Sequence, residues 1–82
     1  MNAEFFSNDN GRTYLVIEKF EVPNYWSNGK SLTIALLKDT YQYVVAYRLE
    51  ETSWGQGYYY ENIEHAAEKY AELRESYLGV SV

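Results

Sequence analysis

Hydrophobic and polar residues alternate along much of residues 13–60, and the spacing of the hydrophobic residues then becomes helical over residues 62–79. Alternation places successive side chains on opposite faces of a strand, whereas apolar residues three and four positions apart collect on one side of a helix. The pattern therefore predicts a β-sheet that is followed by one helix.

Three segments combine this alternation with residues that favour strands. They are residues 13–22 (TYLVIEKFEV), 31–37 (SLTIALL) and 41–49 (YQYVVAYRL), and residues 58–60 predict a short last strand. A helix is the alternative for residues 31–37, but the β-branched Thr33 and Ile34 favour a strand. In the first strand we expect four side chains on one face: Tyr14, Val16, Phe20 and Val22.

Turn-forming residues separate these segments. We expect residues 1–11 to form a tail or a first turn, and the Asn28-Gly29 pair to close a loop that exposes Tyr25 and Trp26.

A second loop is expected at residues 50–57, which contain the sequence WGQG. Its glycines do not fit a phosphate-binding loop, because a strand follows them where such a loop needs a helix. We expect Gly55 and Gly57 to allow a positive φ or a bulge, so that Trp54 folds back over the sheet edge.

The helix has clear signals at both ends. Asn62 suits the N-cap, because its side-chain oxygen accepts a hydrogen bond from the first turn, and Gly79 suits the C-cap. Its apolar face is formed by Ile63, Ala66, Ala67, Tyr70, Leu73, Tyr77 and Leu78. Such a helix is marginal alone in water and must pack on the sheet. We therefore predict an α+β fold, with an antiparallel sheet of three or four strands and the C-terminal helix packed on one face.

The length of 82 residues predicts a single domain, residues 1–82, and cysteine is absent. The absence of cysteine excludes disulfides and thiolate chemistry and fits a reducing compartment. No signal peptide and no apolar run long enough to cross a membrane is present in the sequence, so we expect a cytoplasmic protein without membrane contact.

The negative charge is concentrated in the C-terminal half. Residues 1–49 contain five acids and five bases, whereas residues 50–82 contain seven acids and two bases, which accounts for the net charge of −5. On a helical projection, five glutamates fall within an arc of about 80°, and they are Glu61, Glu64, Glu68, Glu72 and Glu75. Lys69 and Arg74 are expected to lie off this stripe and to neutralise it poorly. The stripe is either a solvated face or a surface for a basic protein partner.

Candidate catalytic groups are few. His65 is the one histidine, and its neighbours Glu61 and Glu68 would make a weak metal site on an exposed helix, so a solvent-facing histidine is the better interpretation. The adjacent carboxylates of Glu50 and Glu51 point apart on a strand end, which does not suit two-carboxylate hydrolysis. We expect neither an enzyme nor a bound cofactor or metal.

Ten tyrosines, two tryptophans and three phenylalanines exceed what one helix can cover, so some aromatic side chains must lie on the surface. Exposed tyrosine and tryptophan are typical of binding surfaces. Stacking of single-stranded nucleic acid on an aromatic sheet face is a third interpretation, but the scattered bases and the negative net charge oppose it.

Residues 41–70, YQYVVAYRLEETSWGQGYYYENIEHAAEKY, lie in a region, roughly residues 41–78, that resembles small acidic accessory proteins of phages and mobile elements of Gram-positive bacteria. Such proteins include anti-CRISPR inhibitors that occupy a basic nucleic-acid channel on an RNA-guided nuclease. The resemblance implies inhibition by occlusion in a bacterial host cell, with carboxylates of the helix in the place of phosphates and aromatic side chains as anchors. The expected partner-binding residues are Glu61, Glu64, Glu68, Glu72, Glu75, Trp54, Tyr59 and Trp26.

A self-associating module is the alternative from another class. In that case the open sheet face, or the edge strand at residues 58–60, would pair with a second copy, and the acidic stripe would only maintain solubility.

Overall fold

A computed structural model describes residues 3–79 of the chain. It contains five strands and one helix: β1 (Glu4–Ser7), β2 (Thr13–Val22), β3 (Leu32–Lys38), β4 (Tyr43–Leu49), β5 (Trp54–Tyr60) and α1 (Ile63–Leu78). The strands form one antiparallel sheet in the order β1-β2-β3-β4-β5. The α+β prediction with one C-terminal helix is confirmed, and the sheet has five strands where three or four were expected.

The additional strand is β1, within the segment that was expected to be a tail or a first turn. It pairs with the first half of β2, so that Phe6 lies opposite Tyr14, and both side chains are buried. The last strand is also longer than expected and begins at Trp54, which pairs with Leu49. For residues 31–37 the strand prediction is confirmed over Leu32–Leu37, and the helical alternative is excluded.

A bulge in β2 divides its apolar residues between the two faces of the sheet. The pairing with β3 shifts between Val16 and Glu18. As a result Tyr14 and Val16 contact the core on one face, whereas Phe20 and Val22 contact the core on the other. The expectation of one common face was wrong, because one extra residue reverses the alternation of all residues beyond it.

The helix covers one face of the sheet, and its predicted caps are confirmed. The amide of Glu64 donates to Asn62 Oδ1 over 2.7 Å, and Gly79 closes the helix in the left-handed conformation with a φ of 64°. Ala66 and Tyr70 are the buried side chains of α1, and the cluster beneath them consists of Phe20, Leu32, Ile34, Leu36 and Val45.

The opposite face has a core of its own, although no second layer among residues 3–79 packs on it. Phe6, Tyr14 and Trp54 contact one another there, with ring centroids 5.4 to 6.4 Å apart, over Ala35, Leu37, Val44 and Ala46. Phe6 lies on the first strand of the sheet and Trp54 on the last, so the sheet curls until diagonally opposite corners meet. A hydrogen bond of 2.9 Å from the amide of Asp9 to the carbonyl of Thr52 joins these corners.

Candidate functional site

The glutamates at positions 64, 68, 72 and 75 lie on the outer side of α1 and are exposed. Glu61 is also exposed, but it precedes the N-cap and is therefore outside the helix. The buried Ala66 and Tyr70 lie on the other side of the helix, so the acidic stripe points directly away from the sheet. The structure thus brings the four helical glutamates together on one solvent-facing surface.

Lys69 neutralises part of this surface, contrary to expectation. Its Nζ donates a hydrogen bond of 3.1 Å to Glu72 Oε1 and lies 4.6 Å from the centre of the Tyr58 ring. The hydrogen bond to Glu72 raises the pKa of Lys69 above its usual value. Glu64, Glu68 and Glu75 make no ion pair within residues 3–79, so the unneutralised charge of this surface lies on these three carboxylates.

Trp54 and Tyr59 lie on the sheet face opposite the helix. Trp54 is half-buried, since its ring packs against Phe6 and Tyr14, whereas 54% of Tyr59 is exposed. Both rings lie close to Gly57, where a Cβ atom would be 2.6 Å from Tyr59 Oη and 2.8 Å from Trp54 Nε1. The whole sheet therefore separates these two residues from the acidic stripe, and a partner would have to pass around the β5 edge to contact both.

Gly55 and Gly57 have a role other than the one expected. Within residues 3–79 the glycines with positive φ are Gly11, Gly29 and Gly79, so neither glycine of the WGQG sequence is in that conformation. Gly57 leaves space for Tyr59 and Trp54, and Gly55 leaves space for the side chain of Arg48.

Trp26 begins a row of four packed aromatic rings that leads to the helix and consists of Trp26, Tyr25, Tyr77 and Tyr47. The Trp26 ring packs edge-on against Tyr25 with centroids 4.9 Å apart, Tyr25 packs against Tyr77 of α1, and Tyr77 packs against Tyr47. The hydroxyl groups of Tyr77 and Tyr47 are 3.4 Å apart. Hydrogen bonds within this group raise the pKa values of Tyr25 and Tyr47. Of the two expected tryptophan anchors, Trp26 is thus the one on the helix side of the molecule.

Sequence reasoning missed a polar cleft beside Trp26. Trp26, Lys30 and Arg48 line it together with the loop of residues 50–53. Arg48 has a φ of 61°, which is unusual for a residue other than glycine. No local pattern in the sequence indicates this conformation, and the role of Gly55 in leaving space for Arg48 is visible only in the folded structure.

Neither a metal-binding group nor a membrane-spanning helix is present in the described part of the chain. His65 is exposed, and within residues 3–79 no three His, Asp or Glu side chains gather as a metal-binding group. Over the same range no helix is long and apolar enough to cross a membrane.

Comparisons with protein families, with characterised proteins and with solved structures gave no match for this chain.

Proposed function

We propose that this protein is a non-catalytic binding module that docks through the outer face of α1 onto a basic surface of another protein. The observation that supports the proposal is the row of exposed glutamates on the side of α1 that points away from the core. Like charges four residues apart cost a helix a few tenths of a kcal/mol for each pair. A row of such pairs is therefore unfavourable for the isolated protein, and a basic partner would relieve it.

The row would act mainly on the rate and the specificity of association. Exposed charges steer an oppositely charged partner from a distance, and salt weakens this effect because the Debye length is only about 8 Å at physiological ionic strength. Apolar contacts would then hold the complex. Tyr25 and Trp26 are suited to this role, since 40% and 36% of them are exposed and the aromatic row joins them to the C-terminal half of α1.

The finer proposal follows from the resemblance. The protein would be a phage or mobile-element inhibitor in the bacterial cytoplasm, and its carboxylates would occupy a site where a host protein normally receives nucleic acid. An RNA-guided nuclease is one partner of this kind. Occlusion requires no chemistry from the inhibitor.

A charge-matched pair of variants tests the proposal. The helix variant carries Glu64→Gln, Glu68→Gln and Glu72→Gln, and the control carries Glu4→Gln, Asp9→Asn and Glu21→Gln, which lie in β1, the turn after it and β2. Each variant removes three negative charges. We expect a basic protein from a bacterial lysate to bind the wild type and the control at low salt, and to be lost from the helix variant and at high salt.

The inhibitory role is tested separately with the captured protein. If it is an RNA-guided nuclease, adding our protein before target DNA should prevent cleavage, and adding it after DNA has bound should have little effect. Equal losses in both triple variants would show that only net charge matters, and the docking surface would then be rejected.

Self-association remains the second candidate, and the β5 edge favours it. This edge of the sheet runs over seven residues, WGQGYYY, that include neither lysine nor proline, the residues that commonly protect an edge from pairing. A dimer in light scattering that Gln56→Lys converts to a monomer would support this candidate. A wild-type monomer at high concentration would exclude it.

A further inference from the structure

The cleft beside Trp26 lies at one end of the sheet, between two loops. The loop of residues 23–31 and the loop of residues 50–53 both line it, together with Thr33, Arg48 and Leu49 of the adjacent strands β3 and β4. Its volume is about 470 Å³, which is within the usual range for sites that bind small molecules.

An unusual backbone conformation and a nearby glycine place the side chain of Arg48, one of the residues that line this cleft. Arg48 adopts a left-handed conformation with a φ of 61°, which costs a non-glycine residue about 1 to 2 kcal/mol. Its side chain lies against Gly55, where a Cβ atom would be only 2.7 Å from Nε. The strained backbone of Arg48 and the missing side chain of Gly55 thus both allow the Arg48 side chain to take this position. Strain of this kind is concentrated at functional sites.

Residues 3–79 satisfy little of the hydrogen-bonding capacity of this guanidinium group. The nearest carboxylate oxygen is Glu50 Oε2, at 3.7 Å from Nε, and 49% of the Arg48 side chain is exposed. Within residues 3–79 no side chain or carbonyl accepts a hydrogen bond from it. Since an arginine offers five N–H donors in a fixed plane, a ligand with paired oxygen atoms would fit it.

The polar side chains that line the cleft include both hydrogen-bond donors and hydrogen-bond acceptors. Two basic and two acidic side chains line the cleft, and the hydroxyl groups of two serines and two threonines lie among them: Lys30, Arg48, Glu50, Glu51, Ser31, Ser53, Thr33 and Thr52. An anion would meet two carboxylates and a cation would meet two bases. A neutral ligand with many hydroxyl groups would use both kinds of partner.

Trp26 adds an apolar surface to this polar lining. The backbone holds it in place, because its amide donates to the carbonyl of Lys30 over 3.0 Å and its carbonyl accepts from the amide of Gly29 over 2.9 Å. Tyr25 supports the ring edge-on. A rigid, partly exposed indole contributes contact area at low entropic cost.

We propose that this cleft binds a neutral saccharide, with the apolar face of a sugar ring on Trp26 and neighbouring hydroxyl groups shared between Arg48 and the carboxylates of Glu50 and Glu51. A sugar combines an apolar ring face with hydroxyl groups that both donate and accept, which matches the chemistry of the lining. The site shares Trp26 with the proposed docking surface but includes none of the glutamates of α1, so it does not depend on the proposed docking to a basic protein.

NMR spectroscopy of the ¹⁵N-labelled protein provides the test. The two tryptophans give two indole N–H signals, and Trp26→Phe identifies which one belongs to Trp26. The probes are maltose, cellobiose, lactose and N,N′-diacetylchitobiose, each up to about 20 mM, because shallow polar sites bind with dissociation constants on the order of 1 mM. We expect at least one disaccharide to shift the Trp26 signal and the amides of Arg48 and Ser53 in a saturable way, while the Trp54 indole signal stays unchanged.

Two variants connect the binding to the named side chains. Arg48→Gly removes the guanidinium and suits the left-handed backbone, so it should weaken binding about tenfold without loss of thermal stability. Trp26→Ala should weaken it at least as much. The triple glutamine variant of α1 is the control and should bind the disaccharide as the wild type does.

Three results would overturn the proposal. The first is the absence of any shift at Trp26 with all four disaccharides. The second is a saturable shift with sodium phosphate and none with the sugars, which would identify an anion site. The third is a disaccharide response that persists in Arg48→Gly and Trp26→Ala, which would place binding elsewhere.

Discussion

Tyr70 shows how a single polar atom can weaken a core. Its side chain is 4% exposed and packs edge-on against Phe20, yet its hydroxyl group has no hydrogen-bond partner among the described residues. A buried hydroxyl without a partner costs about 1 to 3 kcal/mol. We therefore expect Tyr70→Phe to raise the free energy of unfolding in urea by about 1 kcal/mol. A decrease would show that the hydroxyl group has a hydrogen-bond partner in solution.

The same hydroxyl predicts a pH dependence. Burial, and to a lesser extent the charge of Glu18, raises the pKa of Tyr70 to about 12, while Arg74 acts in the opposite direction. Below pH 10 the Tyr70 hydroxyl group is neutral in both the folded and the unfolded protein. As the pH rises above 10, the unfolded chain loses this proton before the folded protein does. Stability should therefore fall between about pH 10 and pH 12, by up to about 3 kcal/mol.

Urea unfolding of the wild type and of Tyr70→Phe across this pH range isolates the effect. The other tyrosines with raised pKa values are present in both proteins, so the difference between the two curves belongs to Tyr70. Parallel curves would show that Tyr70 ionises equally easily in the folded and unfolded states.

At the scale of elements, the signals that could be read from the sequence were local ones. The bounds of β2 and the two helix caps were predicted correctly, because alternation, Asn62 and Gly79 act within a few residues. The strand β1 was missed, since the four residues EFFS form a strand only by pairing with β2. The bulge between Val16 and Glu18 does not interrupt the alternation of hydrophobic and polar residues in the sequence. It nevertheless places the side chains beyond it on the other face of the sheet.

The N-cap allows a prediction that concerns α1 as a whole. Asn62→Ala removes the acceptor of the 2.7 Å hydrogen bond from the amide of Glu64, and should reduce the free energy of unfolding by about 1 kcal/mol. Asn62→Asp is the matched control, because it keeps an acceptor and adds a negative charge at the positive end of the helix dipole. Equal losses in both variants, measured by circular dichroism during urea unfolding, would contradict a capping role.

The candidate surface also combines predictable and unpredictable parts. The acidic stripe follows from a periodicity within α1, so the sequence was sufficient to locate four of its five predicted glutamates, whereas Glu61 lies before the N-cap and outside the helix. The position of Trp54 relative to that stripe was not predictable, because it depends on which sheet face the helix covers and on how far the sheet curls. Both depend on contacts between residues distant in the chain.

At the scale of the whole molecule, the curl of the sheet explains how an uncovered face can be buried. Val44 and Ala46 are fully buried there because the corners that carry Phe6 and Trp54 fold over them. Arg12 and Asp39 strengthen one of these corners, since an ion pair of 2.8 Å links the turn before β2 to the turn after β3. The core on the face opposite the helix is thus covered by side chains from the two edge strands of the same sheet.

This arrangement predicts that the two tryptophans differ sharply in their contribution to stability. Trp54→Ala removes the ring that contacts both Phe6 and Tyr14, and should cost about 3 to 5 kcal/mol. Trp26→Ala removes an exposed ring and should cost less than about 1 kcal/mol. Urea unfolding measures both values, and Trp54→Phe should retain part of the lost stability.

The same comparison decides the role of Trp54 in binding. If Trp54 mainly closes the core on the face opposite the helix, Trp54→Phe should bind a captured partner as the wild type does. A Trp54→Phe variant that is stable but no longer binds would instead make Trp54 an anchor, and the partner would then have to reach around β5 to the face opposite the helix.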